Sequence, residues 1–261
     1  MRHFTFAGLK GLHLLALGLL LSACAGAPEY NPTTFAYDMA EPAPAADSIK
    51  TVVIPHVNLG PPSRNYLEEV APRIDADIAA YLKDNGYQVI PQREFEQRWN
   101  TAMRAYGNPV DPTTGRTNMN SFSLIMRDVR DSMVKDFNLD AFIFTDLVEV
   151  EVPFSGGLKH VARWDGVTRK PAVQGPGNSV SADFDWNKLA AAASLQVAIF
   201  DTDLKRVFFS RGGLEVTDAI DTRTERYARR HSLLENDADI EEGIQLAFHP
   251  FIVMEDWPGN P

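Results

Sequence analysis

Between Lys50 and Ile90 the chain sets a β-branched strand, a helix-spaced apolar stripe and a second short strand in direct succession, and no other feature narrows its architecture as much. Thr51-Val-Val-Ile54 has strand character and is stopped by Pro55. After the turn-rich Asn58-Leu-Gly-Pro-Pro62, Ser63 reads as an N-cap, and Leu67, Val70, Ile74, Ile78, Tyr81 and Leu82 follow at helical spacing up to Asn85-Gly86. Tyr87-Gln-Val-Ile90 is the second strand. Strands joined through a helix pair in parallel, so the pattern predicts a βαβ unit and an α/β fold.

The rest of the chain extends this plan. Phe95, Trp99 and Met103 predict a helix over 92–103, and Phe122, Ile125, Val129, Met133 and Phe137 one over 121–137, with a Gly/Pro/Asn/Thr-rich loop from Ala105 to Asn118. Ala141-Phe-Ile-Phe144 continues through Val152 as a half-buried strand, and Ser155-Gly-Gly157 is placed to turn it back into Leu158 to Arg163. Ala190 to Phe200, the turn Asp201-Thr-Asp203 and Arg206 to Ser210 form a second antiparallel pair. A final helix over 238–249 carries Ile240, Ile244, Leu246, Ala247 and Phe248. No internal repeat is present. The expected architecture is α/β: a mixed sheet with an N-terminal βαβ unit, flanking helices, a C-terminal antiparallel meander and a final helix.

Ahead of this body, Arg2, His3 and Lys10 precede the apolar run Leu12 to Leu21, which is too short to span a bilayer and ends in Leu21-Ser22-Ala23-Cys24. These residues resemble the lipobox of bacterial lipoproteins. The resemblance implies a signal peptide over 1–23, acylation of Cys24 with palmitate-type chains and, with Ala25 rather than an aspartate after the cysteine, sorting to the outer membrane. Residues 24–48, with Pro28, Pro32, Pro42 and Pro44 and no apolar period, read as the lipidated cysteine and a flexible tether. Residues 49–261 are then a single periplasmic domain.

Without residues 1–23 the chain keeps 238 of its 261 residues and 23 Lys and Arg against 35 Asp and Glu, a net charge of about −12 by side-chain count. So acidic a protein is a poor partner for nucleic acid. Cys24 is its one cysteine, so no intrachain disulfide forms and stability rests on packing.

Thr51 to Pro55, Gly86 to Pro91, Asn138 to Phe144 and Leu195 to Thr202 resemble the curli-secretion-type lipoprotein superfamily, which includes the penicillin-binding-protein activator lipoproteins and whose core looks like the amino-terminal domain of TolB. The resemblance covers about residues 49–250. It implies a fold, and roles as secretion pore, activator of cell-wall synthases or component of unknown role. Trp164 to Trp186, with Lys170, Pro171 and Pro176 and little alternation, makes a poor barrel strand, which weakens the pore reading.

Chemistry-bearing motifs are sparse. His56, His160, His231 and His249 form no metal-binding spacing, and no cofactor motif appears. Ser155 to Lys159 and Gly175 to Asn178 read as turns, and Asp201 and Asp203 as turn carboxylates that bond local amides. Arg223, Arg226 and Arg230 share one face with Arg229 beside them if their segment is helical, and then form a solvated basic patch. Trp164 to Trp186 lacks a core-facing period, and Arg163, Trp164, Arg169, Lys170 and Trp186 are of types enriched in binding hot spots, which makes them the candidate partner-binding residues. Deleting Gly166 to Val180 is accordingly expected to spare the fold.

These features point to a non-enzymatic, outer-membrane-anchored periplasmic lipoprotein that serves as an interaction or assembly module for an envelope protein partner. Self-association is left open. Two alternatives stand beside it: a subunit of an oligomeric secretion or transport complex, and an envelope hydrolase with a site near His56.

Overall fold

The computed structural model describes residues 30–45, 48–111, 113–155, 160–177 and 179–257. The expected signal peptide, Cys24 and residues 156–159, on which most of the expected Ser155-Gly-Gly157 turn falls, lie outside the described residues. The architecture is mixed α/β. A six-stranded sheet runs in the order β1-β9-β8-β4-β2-β3, built from β1 (Tyr37–Met39), β2 (Thr51–Val53), β3 (Gln88–Ile90), β4 (Ala141–Pro153), β8 (Leu189–Asp201) and β9 (Arg206–Val216). The smaller strands are β5 (Ala162–Trp164), β6 (Val167–Arg169), β7 (Ala172–Gln174), β10 (Asp218–Asp221) and β11 (Arg226–Arg229). The helices are α1 (Ala71–Asp84), α2 (Gln92–Tyr106), α3 (Met119–Phe137) and α4 (Asp237–Phe248).

The βαβ unit is present: β2 pairs in parallel with β3 (Val52 with Val89) and with β4 (Val53 with Phe142). Helix α1 starts at Ala71, with Pro72 in its first turn. Ser63 is no N-cap; it sits in a separate 3-10 turn, Pro62–Leu67, that buries Leu67. Gly86, at φ +84°, ends the helix in the left-handed region as the sequence indicates. Helix α2 runs on to Tyr106, where Gly107 at φ +84° stops it, and the Asn118 side chain caps α3 by accepting from the amides of Asn120 and Ser121.

The sheet is covered on both faces. On one, Ile74, Ile78 and Leu82 of α1 and Ile240, Ile244 and Phe248 of α4 close over Ile143, Leu147, Leu195 and Val197. On the other, Phe95 of α2 and Ile125, Val129 and Met133 of α3 close over Val53 and Phe142. Burial on both sides is why β2 and the start of β4 read as unbroken apolar runs.

Helix α4 lies unusually close to β9. A Cβ built on Gly212 would stand 1.9 Å from the Gly243 carbonyl oxygen, so two glycines set backbone against backbone. β4 and β8 pair antiparallel over their whole lengths, and β9 pairs antiparallel along the other edge of β8.

Three expectations change. Part of the segment read as a tether belongs to the fold: the Asn31 amide donates to the Gly166 carbonyl (2.7 Å), β1 pairs with β9 (Tyr37 with Ser210), and the Phe35 ring lies 4.9 Å from Trp257. A three-residue edge strand has no room to express a period, and its partners lie far along the chain.

Trp164 to Trp186 is no irregular loop. Asp165-Gly166, both at positive φ, close the β5–β6 hairpin with a two-residue primed turn, and Trp164 and Val167 beside it are buried. β7 then pairs in parallel with β10. The Asp165 carbonyl accepts from the Gly213 amide (3.0 Å), so this hairpin covers the stretch of β9 that β1 leaves open.

The arginine segment is not helical but the β10–β11 hairpin, its turn held by Asp221, whose side chain accepts from the amides of Arg223 and Thr224.

Candidate functional site

The N-terminal turns of α3 overhang the sheet. Deeper in the helix Ile125, Val129 and Met133 are buried, whereas Met119 remains 62% and Leu124 43% exposed. Beneath the overhang lies a groove of about 600 Å³, lined by Met119, Phe122, Met126, Phe144, Phe200 and Leu204, with Arg127, Arg130 and Asp203 on its rim.

Its floor is set by the sheet register. Phe142 pairs with Phe200 and Phe144 with Ala198, so all four share one face, and the Phe144 and Phe200 rings meet edge-on at 5.7 Å. Phe95 and Trp99 of α2 continue this aromatic row, and Trp99 meets Phe122 edge-on at 5.8 Å. The far wall is the β8–β9 turn, in which Leu204 takes a left-handed φ of +59° and the Asp201 carboxylate accepts from the amides of Asp203 and Lys205. Arg130 holds helix to turn, donating to the Thr202 carbonyl at 2.9 Å while pairing with Asp131. Among the described residues Arg127 donates only to its own helix, to the Ser123 carbonyl (3.3 Å), and it presents its charge at the mouth. An apolar trough with a few convergent charged groups is suited to seating an apolar side-chain row or chain and fixing its direction through an anion at Arg127.

None of the sequence-based candidates lines this groove; four of them lie on or beside the β5–β6 hairpin, and the two tryptophans serve one apolar cluster rather than an open surface. Trp164 is buried, and its indole N–H donates to Ser194 Oγ at 3.0 Å; Ser194 in turn donates to Asp165. Arg169 is locked inside, donating from Nε to the Leu214 carbonyl and pairing through Nη2 with Glu242 at 2.6 Å. Burial raises the Glu242 carboxyl above its ordinary range, and Arg169 pulls it back.

Arg163 and Lys170 are exposed on the same hairpin but are not joined to any of the others. Trp186 packs against the same hydrophobic cluster that holds Trp164, stacked on His160 at 3.7 Å and meeting Phe154 and Phe184 edge-on, with Tyr227 closing the ring of contacts and its phenol pushed up to about 12, chiefly by burial. Two of the four clustered arginines are consumed internally: Arg229 stacks over the Tyr66 ring at 4.0 Å and pairs with Glu149, and Arg230 pairs with Glu215.

Around His56 the fold supplies what the sequence alone leaves unseen. Asp75 of α1 lies 2.9 Å from Nδ1 and Glu96 of α2 lies 2.6 Å from Nε2, while Asp75 also accepts from the Val57 amide. Both ring nitrogens thus face carboxylates, and among the described residues no hydroxyl or thiol contacts this histidine. The arrangement ties β2's exit to two helices.

No group of three or more His, Cys, Asp or Glu among the described residues is arranged to hold a metal ion. The groove does not show in the stripe that predicts a helix over 121–137, because that stripe takes in neither Met119 nor Leu124; their excess over what one helical face can bury is the signal that could have found it.

No protein-family model and no curated protein matches the chain. Among solved structures it is similar to the PelC L103M dodecamer from Paraburkholderia phytofirmans, at 8% identity and a TM-score of 0.35 over 83% of this chain and 97% of that one. It is also similar to the lipoprotein GNA1162 from Neisseria meningitidis, at 12% identity and a TM-score of 0.32 over 63% of this chain and 81% of that one. At these scores neither likeness bears on what the groove takes.

Proposed function

We propose that this chain is a lipoprotein held in the outer membrane through Cys24, whose α/β domain acts in the periplasm as a non-enzymatic interaction module for an envelope protein. The groove under α3 carries the reading: its apolar floor and Arg127 at its mouth, which pairs with no carboxylate among the described residues, suit an amphipathic segment of a partner with an acidic residue beside its apolar row. The lipobox Leu21 to Cys24 supplies the anchor, and no described helix is long and apolar enough to cross a membrane.

A photo-crosslinking residue at Met119 in the native lipidated protein tests the groove, with one at Leu189 as control. Both positions are exposed, at 62% and 48%. One partner band specific to position 119, lost on Arg127→Glu, is expected. Equal patterns at both positions would remove the groove from the reading. Cys24→Ser should abolish fatty-acid labelling, since serine offers no thiol to acylate; persistent labelling would refute the anchor.

A further inference from the structure

The fold takes up the chain only six residues beyond Cys24. Tyr30 is packed edge-on against Trp257 at 5.5 Å, and Asn31 is bonded to Gly166. Six residues reach at most about 22 Å even when fully extended. A folded body of about 230 residues has a radius of gyration of about 17 Å, hence a diameter of about 45 Å. An anchor at Cys24 therefore lets only the side of the domain around Tyr30 approach the bilayer.

That side bears an apolar and aromatic surface. Tyr37 is 54% exposed and Tyr30 and Phe35 are half-buried, and the buried Trp257 joins their rings into a continuous row, with centroids 6.0, 4.9 and 5.5 Å apart. Val253, at 66% the most exposed large hydrophobic residue among those described, lines the same crevice as Tyr30. Tyrosine favours the headgroup level of a membrane, where its ring can bury its apolar body and keep its hydroxyl wet, and Tyr37 and Tyr30 are open to that contact while Trp257 backs them from inside. Glu255 and Asp256, in the sequence just after Val253 and Met254, keep the contact shallow, because a carboxylate in the hydrocarbon region is costly.

We infer that the surface formed by Tyr30, Tyr37 and Val253 rests on the lipid headgroups, so that the domain lies flat on its anchor side. The groove under α3 belongs to the opposite face of the sheet and is turned toward the periplasm. This inference rests on the lipid-anchor reading.

The test uses the full-length lipidated protein in vesicles of phosphatidylethanolamine with a minority of phosphatidylglycerol. With Cys24 acylated, Val253→Cys and, separately, Leu124→Cys provide the single free thiol for an environment-sensitive fluorophore, and headgroup-nitroxide lipids serve as quenchers. Several-fold stronger quenching at 253 than at 124 is expected. Flotation with the vesicles together with equal quenching, or stronger quenching at 124, would keep the anchor and overturn the orientation. Loss of both fatty-acid labelling and flotation would overturn the anchor reading and the orientation with it.

Discussion

The guanidinium of Arg169 on β6 lies 2.6 Å from the carboxylate of Glu242 on α4, and the two side chains are only 13% and 10% exposed. This pair fastens the β5–β6 hairpin to the helix that seals one face of the sheet. It also explains why a residue type common in binding surfaces is here internal.

Arg169→Ala should destabilise the protein by about 3–5 kcal/mol at neutral pH, because it strands a buried carboxylate. Burial already raises the Glu242 value above the ordinary 4.5, and losing Arg169 raises it further. Between the ordinary and the raised value the folded state binds more protons than the unfolded one, so stability falls as pH rises through that window. The variant's deficit should therefore shrink on acidification, as followed by urea unfolding at both ends of the window. An equal deficit throughout would assign the loss to packing of the arginine stem.

His249 is 4% exposed, its ring accepts the Met254 amide proton at Nδ1, and burial holds it below the ordinary 6.5. Below 6.5 the unfolded state takes up the proton first. Stability should therefore decline as pH falls from 6.5 toward the depressed folded value, by at most about 1.4 kcal/mol per pH unit from this group. His249→Gln should flatten that part of the stability–pH curve, and an unchanged slope would place its origin elsewhere.

Gly212→Ala should cost about 3 kcal/mol or prevent folding, since the new methyl group meets the backbone of α4 rather than a flexible side chain. Gly115→Ala provides the contrast: at φ +67° with nothing within 4 Å, it should cost about 1–2 kcal/mol through the dihedral alone. Thermal melts of the two variants separate steric from conformational need.

Removing Gly166 to Val180 should abolish cooperative unfolding, against the expectation drawn from sequence, because it takes out half of a buried hairpin and the β7 partner of β10. Trp164→Ala alone should cost about 3–5 kcal/mol. A deletion variant that melts like the parent would show that the hairpin is dispensable.

The sequence by itself determined the elements whose burial is written into neighbouring residues. The stripe Ile74, Ile78, Leu82 marks α1, the run from Ala141 marks β4, and Gly86 marks a helix end, because a fixed hydrophobic period or a left-handed φ is a local requirement. Asp165-Gly166 carries a local turn signal of the same kind, but the glycines and prolines after it made Trp164 to Trp186 read as one irregular segment and hid the strands it joins.

Only the tertiary structure decided the rest. It enlisted Tyr37–Met39 as an edge strand, buried Arg169 against Glu242, spent Arg229 on Tyr66 and Glu149, brought two carboxylates to His56 and left the groove under α3 uncovered. Each depends on residues many positions apart that meet through sheet order and helix placement. A charge or an aromatic ring carries no mark in the sequence of whether its partner will be another residue of the chain or a second molecule.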